Sequence, residues 1–331
     1  MKIWQLISPN NLQRSTVDDL KLSPGFAKAK ITKALLSEAD VAVYSGSTKV
    51  KYPLTLGRFA IGQITETGED TFMQKGDRVY FSSTLDSETS QRGFVITGET
   101  TDGFYRDFAL VGVDDAYVLP PSVSDEAAFL IDAVALAEHV VDEMNISVGQ
   151  HILVVGGGLY SNVLCQILIY HRAVPILADN NPERLARAKR SGIYYTFPND
   201  ETLKENVLSV TGGKLADGAI FLAFNNRQEA SSVFSYLAHG AYATFCSMTE
   251  KNISINLEEA MKRNVTIKGI TESREFVTTA INILANKAVN FNEFPYNFYS
   301  EEKLPELLEQ RATELKNNAL PEQMDVLKFV F

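Results

Sequence analysis

The run Val154-Val155-Gly156-Gly157-Gly158-Leu159-Tyr160-Ser161 constrains this chain more than any other feature, because it closes an apolar strand-like stretch and opens an apolar helical one. Gly156 and Gly158 stand where missing Cβ atoms let a turn approach a pyrophosphate, with the phosphates over a helix N-terminus. The third small position is Ser161 rather than glycine. A second apolar strand then ends at Asp179, about twenty residues after the first glycine, where a carboxylate meets a ribose 2′-OH and repels a 2′-phosphate. NAD(H) is therefore favoured as cofactor, with NADP(H) as the alternative because Asn180 and Arg184 stand close by. A tight turn that serves only packing would explain the glycines alone, and a helix cap for 182–189 would explain Asp179 alone. The order strand, turn, helix, strand, carboxylate favours the nucleotide site.

The rest of the chain frames that motif. Apolar runs at 152–155, 175–178, 218–223, 242–246 and 265–270 alternate with helical stretches, so a parallel sheet is implied. Residues 4–117 carry short β-rich runs between turn signals such as Ser23-Pro24-Gly25 and Lys75-Gly76-Asp77, which reads as an irregular, mostly β domain. Ser124 offers an N-cap for a helix reaching Met144. After Gly269 come a helix over 275–286, a polar tail over 300–318 and an apolar strand over 324–331. That strand needs a sheet, and joining the N-terminal one makes the first domain discontinuous. The expected division is 1–120, then a nucleotide-binding domain over 121–271, then a return over 272–331. At 331 residues and 45% hydrophobic content the chain suits two cores. Its 31 basic and 41 acidic side chains give a net charge of −10, which argues against nucleic acid and anionic membranes as partners. Cys165 and Cys246 are too few and too far apart for a disulfide framework, and no apolar run matches a membrane span, so a cytoplasmic protein is expected.

Several landmarks in fixed order resemble the medium-chain dehydrogenase/reductase superfamily of zinc alcohol dehydrogenase-like proteins over nearly the whole chain. They are Asp40 to Gly46 as D-x-x-x-Y-x-G, Tyr52-Pro53-Leu54-Thr55-Leu56-Gly57 followed by Gly62, Gly76-Asp77-Arg78-Val79, Asp102-Gly103-Phe104, Leu119-Pro120, Ala127-Ala128 and the glycine run. The resemblance implies an α/β protein in which a GroES-like β domain is interrupted by a Rossmann domain with a doubly wound parallel sheet. It implies an NAD(P)-dependent oxidoreductase acting on a small alcohol, carbonyl or enone, and a homodimer paired through the last Rossmann strand near 265–270.

The departures bear on the chemistry. Members that use a catalytic zinc supply a cysteine, a histidine and a third ligand where this chain has Ser37, Arg58 and Asp132. Arg58 puts a permanent cation where the metal would sit. The segment 82–98 lacks the cysteines of a structural zinc lobe as well. No zinc is expected; Glu38 and Asp40 as substitute ligands beside Asp132 are weaker than the reading of solvated carboxylates. Catalysis then falls to hydrogen bonds or a fixed cation, with Tyr44, Arg58 and Asp132 as candidates. A packed tyrosine explains Tyr44 as well, and a structural ion pair with Asp132 explains Arg58. Cys246, at a strand end, is a candidate cofactor contact or a buried small side chain. His139 and the pair Thr271 and Arg274 have surface or core roles as simpler readings. A narrower similarity to ribulose-5-phosphate reductases rests on Trp4-Gln5-Leu6, Asp107-Phe108 and Val326-Leu327-Lys328, but those enzymes keep the metal ligands. The competing function is a catalytically silent dinucleotide-binding sensor or structural protein on the same fold.

Overall fold

A computed structural model describes residues 1–90, 93–112, 115–222, 233–246, 254–271, 273–317 and 322–329. Ala223, Asn318, Val330 and Phe331, which end three of the segments named above, lie outside the described residues. The chain divides into two compact units, Met1–Phe129 with Phe294–Phe331, and Leu130–Glu293.

The first unit begins with β1 (Lys2–Ser8) and β2 (Asn11–Thr16), then β3 (Phe26–Leu36), α1 (Glu38–Tyr44), β4 (Leu54–Thr55) and β5 (Phe59–Thr67). After these come β6 (Arg78–Phe81), β7 (Thr84–Asp86), β8 (Phe94–Ile96), β9 (Phe108–Gly112), β10 (Ala116–Val118) and α2 (Asp125–Ala128). Its largest sheet runs β10-β6-β5-β3 and continues into two strands from the end of the chain, with β9 also on β3. Alternation builds the core: Ala27, Ala29 and Ile31 of β3 point inward with Ala60 and Ile64 of β5, Val79 and Phe81 of β6, and Tyr105. Ser124 caps α2 through the Ala127 N–H, as the sequence suggests, but α2 stops at Phe129. The expected long helix is therefore two, the second starting at Ile131.

The second unit comprises α3 (Ile131–Glu143), β11 (His151–Val155), α4 (Leu159–Tyr170), β12 (Val174–Asp179), α5 (Pro182–Arg190), β13 (Tyr195–Pro198), α6 (Leu203–Val210) and β14 (Ala216–Phe221). It goes on through β15 (Leu237–Phe245), α7 (Leu257–Lys262), β16 (Thr266–Gly269) and α8 (Val277–Ala285). All strand pairs are parallel, in the order β13-β12-β11-β14-β15-β16, the doubly wound arrangement. Strands β11, β12 and β14 are nearly continuously buried, as strands covered on both faces must be. Sequence reading anticipated five of the six and missed β13, a four-residue strand of which only Thr196 is buried.

The chain then returns to the first unit with β17 (Tyr296–Ser300), α9 (Leu304–Lys316) and β18 (Met324–Lys328). Most of what reads as a polar tail is α9, whose Leu304, Leu307, Leu308, Arg311 and Ala312 are buried on one face. Strand β18 pairs antiparallel with β3, from Asp325 opposite Leu36 to Lys328 opposite Lys33. Between α9 and β18 the Arg311 Nε donates to Asp325 Oδ2 at 2.6 Å, with both side chains buried. Asp325→Ala removes the buried carboxylate and leaves the guanidinium only its more exposed partner Glu314, at 2.6 Å, so chemical denaturation should show the first unit destabilised by about 2–3 kcal/mol. A loss under about 1 kcal/mol would mean that the pair contributes little.

Candidate functional site

The glycine run sits at the C-terminal end of β11, beside the point where strand order reverses between β11 and β14. Gly156 has φ +98°, a conformation that favours glycine. At Gly157 a Cβ would lie 2.9 Å from the Arg184 Cβ and 3.1 Å from the Asp179 Cβ, so a side chain there would push into both. Gly158 is the N-cap of α4 and offers no side-chain cap, and a Cβ there would meet nothing within 4 Å. The turn is thus tight on one side and open at the helix N-terminus, where backbone N–H groups and the helix dipole favour a phosphate. Ser161, one turn into α4, is 2% exposed, so the third fingerprint position packs the helix against the sheet.

Asp179 ends β12 and is 3% exposed. Its Oδ2 accepts from the Gly157 N–H at 2.6 Å and its Oδ1 from the Asn181 N–H at 2.6 Å. Arg184 Nη1 lies 3.5 Å from Oδ2. The cap of α5 is Asn181, not Asp179: the Asn181 side chain accepts from the Glu183 and Arg184 N–H groups. Asp179, Gly157 and Arg184 are therefore brought together, which leaves the carboxylate tied to the glycine turn. On the same unit the Tyr160 hydroxyl donates to Asp132 Oδ2 at 3.1 Å. Cys246 follows β15, its N–H donating to the Phe221 carbonyl at 2.8 Å. Burial pushes its thiol up to about 12, and raises that of Cys165 further.

In the first unit the D-x-x-x-Y-x-G pattern proves to be a helix with its start and stop. Ser37 is the N-cap of α1: its Oγ accepts from the Asp40 N–H at 3.2 Å and donates to Asp40 Oδ2 at 2.6 Å, while the Ser37 N–H reaches the same oxygen at 3.0 Å. The other oxygen of Asp40 accepts from the Gly57 N–H at 2.9 Å. Gly57 has φ +103° and packs on Tyr105, whose hydroxyl donates to the Leu35 carbonyl at 3.1 Å. Tyr44 belongs to the core, 6% exposed, with its hydroxyl 3.4 Å from the Asn10 carbonyl. Burial, with the Glu309 charge nearby, raises its pKa. This is the position of a packed tyrosine.

Arg58 carries the finding that sequence reasoning missed. Its Nη2 donates to Glu99, and its carbonyl accepts from the Thr97 hydroxyl at 3.1 Å. Forty-one positions separate the two partners, and Glu99 lies in no recognisable motif, so no signal in the chain marked it. His139 stacks on Phe276 with ring centroids 5.1 Å apart. Arg274 opens the short 3-10 turn before α8. Among the described residues no group of three or more His, Cys, Asp or Glu side chains is placed to hold a metal ion. No helix among them is long and apolar enough to cross a membrane.

Two family models match the chain, the alcohol dehydrogenase GroES-like domain over residues 23–121 and the zinc-binding dehydrogenase domain over 162–286. A sorbitol dehydrogenase of Halalkalibacterium halodurans is 25% identical over 80% of this chain and 81% of its own. Among solved structures, a protein of Escherichia coli CFT073 described as a short chain alcohol dehydrogenase, rspB, complexed with NADH, superposes with a TM-score of 0.86 at 20% identity, covering 99% of both chains. A Sinorhizobium meliloti 1021 protein of zinc-binding dehydrogenase type, bound to NADP, superposes with a TM-score of 0.85 at 16% identity, covering 99% of this chain and 98% of its own.

Burial of the two thiols has a direct consequence. With the neutral form of Cys246 favoured up to about pH 12, the thiolate at pH 8 is on the order of one molecule in ten thousand. A disulfide exchange reagent added to the native protein at pH 8 should find no fast-reacting thiol, and both after denaturation. A rapid native reaction would contradict the burial of Cys246.

Proposed function

The chain belongs to the zinc alcohol dehydrogenase-like medium-chain dehydrogenase/reductase superfamily, a family of NAD(P)-dependent oxidoreductases, and from that premise we propose that it transfers hydride between NAD(H) and a small alcohol, carbonyl or enone without a metal ion. The observation that carries the cofactor reading is the uncapped N-terminus of α4 at Gly158, joined through Gly157 to the buried carboxylate of Asp179. In this reading Gly156 and Gly158 leave room for the pyrophosphate and Ser161 seats the helix. Asp179 accepts from the adenine ribose, with Arg184 beside it. Cys246 flanks the nicotinamide end. The bound dinucleotide supplies the hydride; the protein supplies orientation and the handling of charge and protons.

Of the three positions where zinc-using relatives place their ligands, Asp132 could ligate zinc, and the metal-free reading rests on the other two. The Ser37 hydroxyl is committed in both directions to Asp40, and Arg58 carries a fixed positive charge held by Glu99. A cation at that position repels a metal ion and attracts an oxygen that gains negative charge during reduction. Arg58 is accordingly assigned to polarising the substrate. The substrate class is a small alcohol, carbonyl or enone, and the relative named for sorbitol makes polyols the first alcohols to try.

Association and setting follow the same reasoning. Strand β16 is an edge strand with all four residues exposed, and Met261 of α7 and Ile267 of β16 are exposed beside it. Pairing with a second copy would cover that edge, so we assign a homodimer. Two free, buried cysteines suit a reducing cytoplasm.

The test is a titration of metal-analysed protein with NADH and NADPH, followed by turnover on secondary alcohols, polyols, ketones and enones. NADH should bind at least about tenfold more tightly than NADPH, because a 2′-phosphate meets the Asp179 carboxylate. Turnover should be insensitive to a chelator and unaided by added zinc. Activity that vanishes on chelation and returns with Zn2+ would overturn the metal-free reading. Binding with no turnover on any class would favour the silent sensor.

A further inference from the structure

We propose that Tyr160 and Asp132 form the pair that exchanges the proton of the reaction, Tyr160 as the catalytic residue touching the substrate oxygen and Asp132 as its positioning partner. The proposal rests on the reading that the glycine turn holds the dinucleotide. Tyr160 is the second residue of α4, two positions after the N-cap Gly158, and Asp132 lies in the first turn of α3. Their 3.1 Å hydrogen bond joins two half-buried side chains of one unit.

Sheet order locates the pair along the cofactor. Asp179 ends β12, on one side of the glycine turn that follows β11. Tyr160 lines a recess with Ala133, Leu136, Leu164 and Leu222, and Leu222 follows β14, on the other side. A dinucleotide with its adenine ribose against Asp179 and its pyrophosphate over Gly158 extends its nicotinamide half toward β14. Tyr160 and Asp132 therefore flank the reacting end of the cofactor, not the adenine end.

The chemistry balances without a metal. In alcohol oxidation the substrate C–H bond breaks with its electron pair going to the oxidised nicotinamide. The substrate O–H bond breaks as the C=O bond forms. The hydroxyl proton passes to Tyr160 Oη while the tyrosine's own proton passes to Asp132 Oδ2, and Asp132 releases it to water. Tyr160 stays neutral throughout, so tyrosinate and carboxylate never stand side by side. Reduction runs the same steps backward, with Asp132 drawing its proton from water. The pair performs the deprotonation that a metal ion would otherwise ease by stabilising the alkoxide.

Two variants of the full chain test this, with NAD+ and NADH as probes. Asp132→Asn removes a negative charge beside a ring that is positive only when oxidised, so the ratio of Kd for NAD+ to Kd for NADH should rise about fivefold. Tyr160→Phe should leave both affinities within about twofold, and lower kcat about 100-fold with little change in KM on the alcohol the parent oxidises. If Asp132 acted only as a first-turn helix acid, Asp132→Asn would lower Tm and weaken both dinucleotides alike. That result, or Tyr160→Phe turnover close to the parent's, would overturn the pair while leaving the cofactor assignment in place. Failure of the parent chain to bind either dinucleotide would remove both.

Discussion

One edge of β3 is shared between two strands that are far apart in the chain. Along one side it pairs with β5 almost from end to end, Ala27 opposite Thr67 to Leu35 opposite Phe59. On the other, Phe26 to Lys30 pair with β9, and Lys33 to Leu36 pair with β18. Register shifts at Lys28/Ala29 and Ile31/Lys33 break the β3–β5 ladder within this strand. The whole second unit lies between β9 and β18 in sequence, so this divided edge closes a very long loop. Closing such a loop is unfavourable mainly through a slowly growing entropy, which a few ladder hydrogen bonds and the buried Arg311–Asp325 contact offset. Everything the first unit offers near Ser37, Gly57 and Arg58 hangs from the C-terminal half of the same strand or from its neighbour β5.

Two aspartates, one in each unit, hold their neighbouring turns in the same way. Asp40 and Asp179 are both buried, and each accepts backbone N–H groups from a glycine turn and from its own chain neighbourhood. Backbone donors are fixed in direction, so each carboxylate pins a loop that no side-chain packing could define as sharply. For Asp40 the pinned loop is the one that presents Arg58; for Asp179 it is the glycine turn itself. Gly103 completes the first arrangement, because any Cβ there would collide with the carbonyls of Leu56 and Gly57.

How much of this was legible in the chain follows from the range of the forces involved. The fold class was readable because apolar runs, glycines and turn residues act over a few positions, and five strands of the Rossmann sheet announced themselves in that way. Strand β13 is short and half-exposed, and α9 carries enough charge to read as a tail although Leu304, Leu307, Leu308 and Ala312 keep helical spacing. The single helix expected over 124–144 breaks at Phe129 and Leu130, where nothing in local propensity requires it. Side-chain partners were the least legible. Glu99 beside Arg58, and Tyr160 beside Asp132, are products of tertiary placement, and Tyr160 was hidden at a position the nucleotide fingerprint leaves unspecified.

The capping box at Ser37 ties that side chain to the fold. A hydroxyl at this position accepts from the Asp40 N–H and returns a proton donor to the Asp40 carboxylate, so Ser37 helps to start a helix. Sulfur is a poor acceptor, so cysteine at this position would surrender a cap of about 1 kcal/mol. Arg58, paired to Glu99, is likewise held by a partner within its own unit. Whatever chemistry either position serves, its replacement is therefore also a change to the fold.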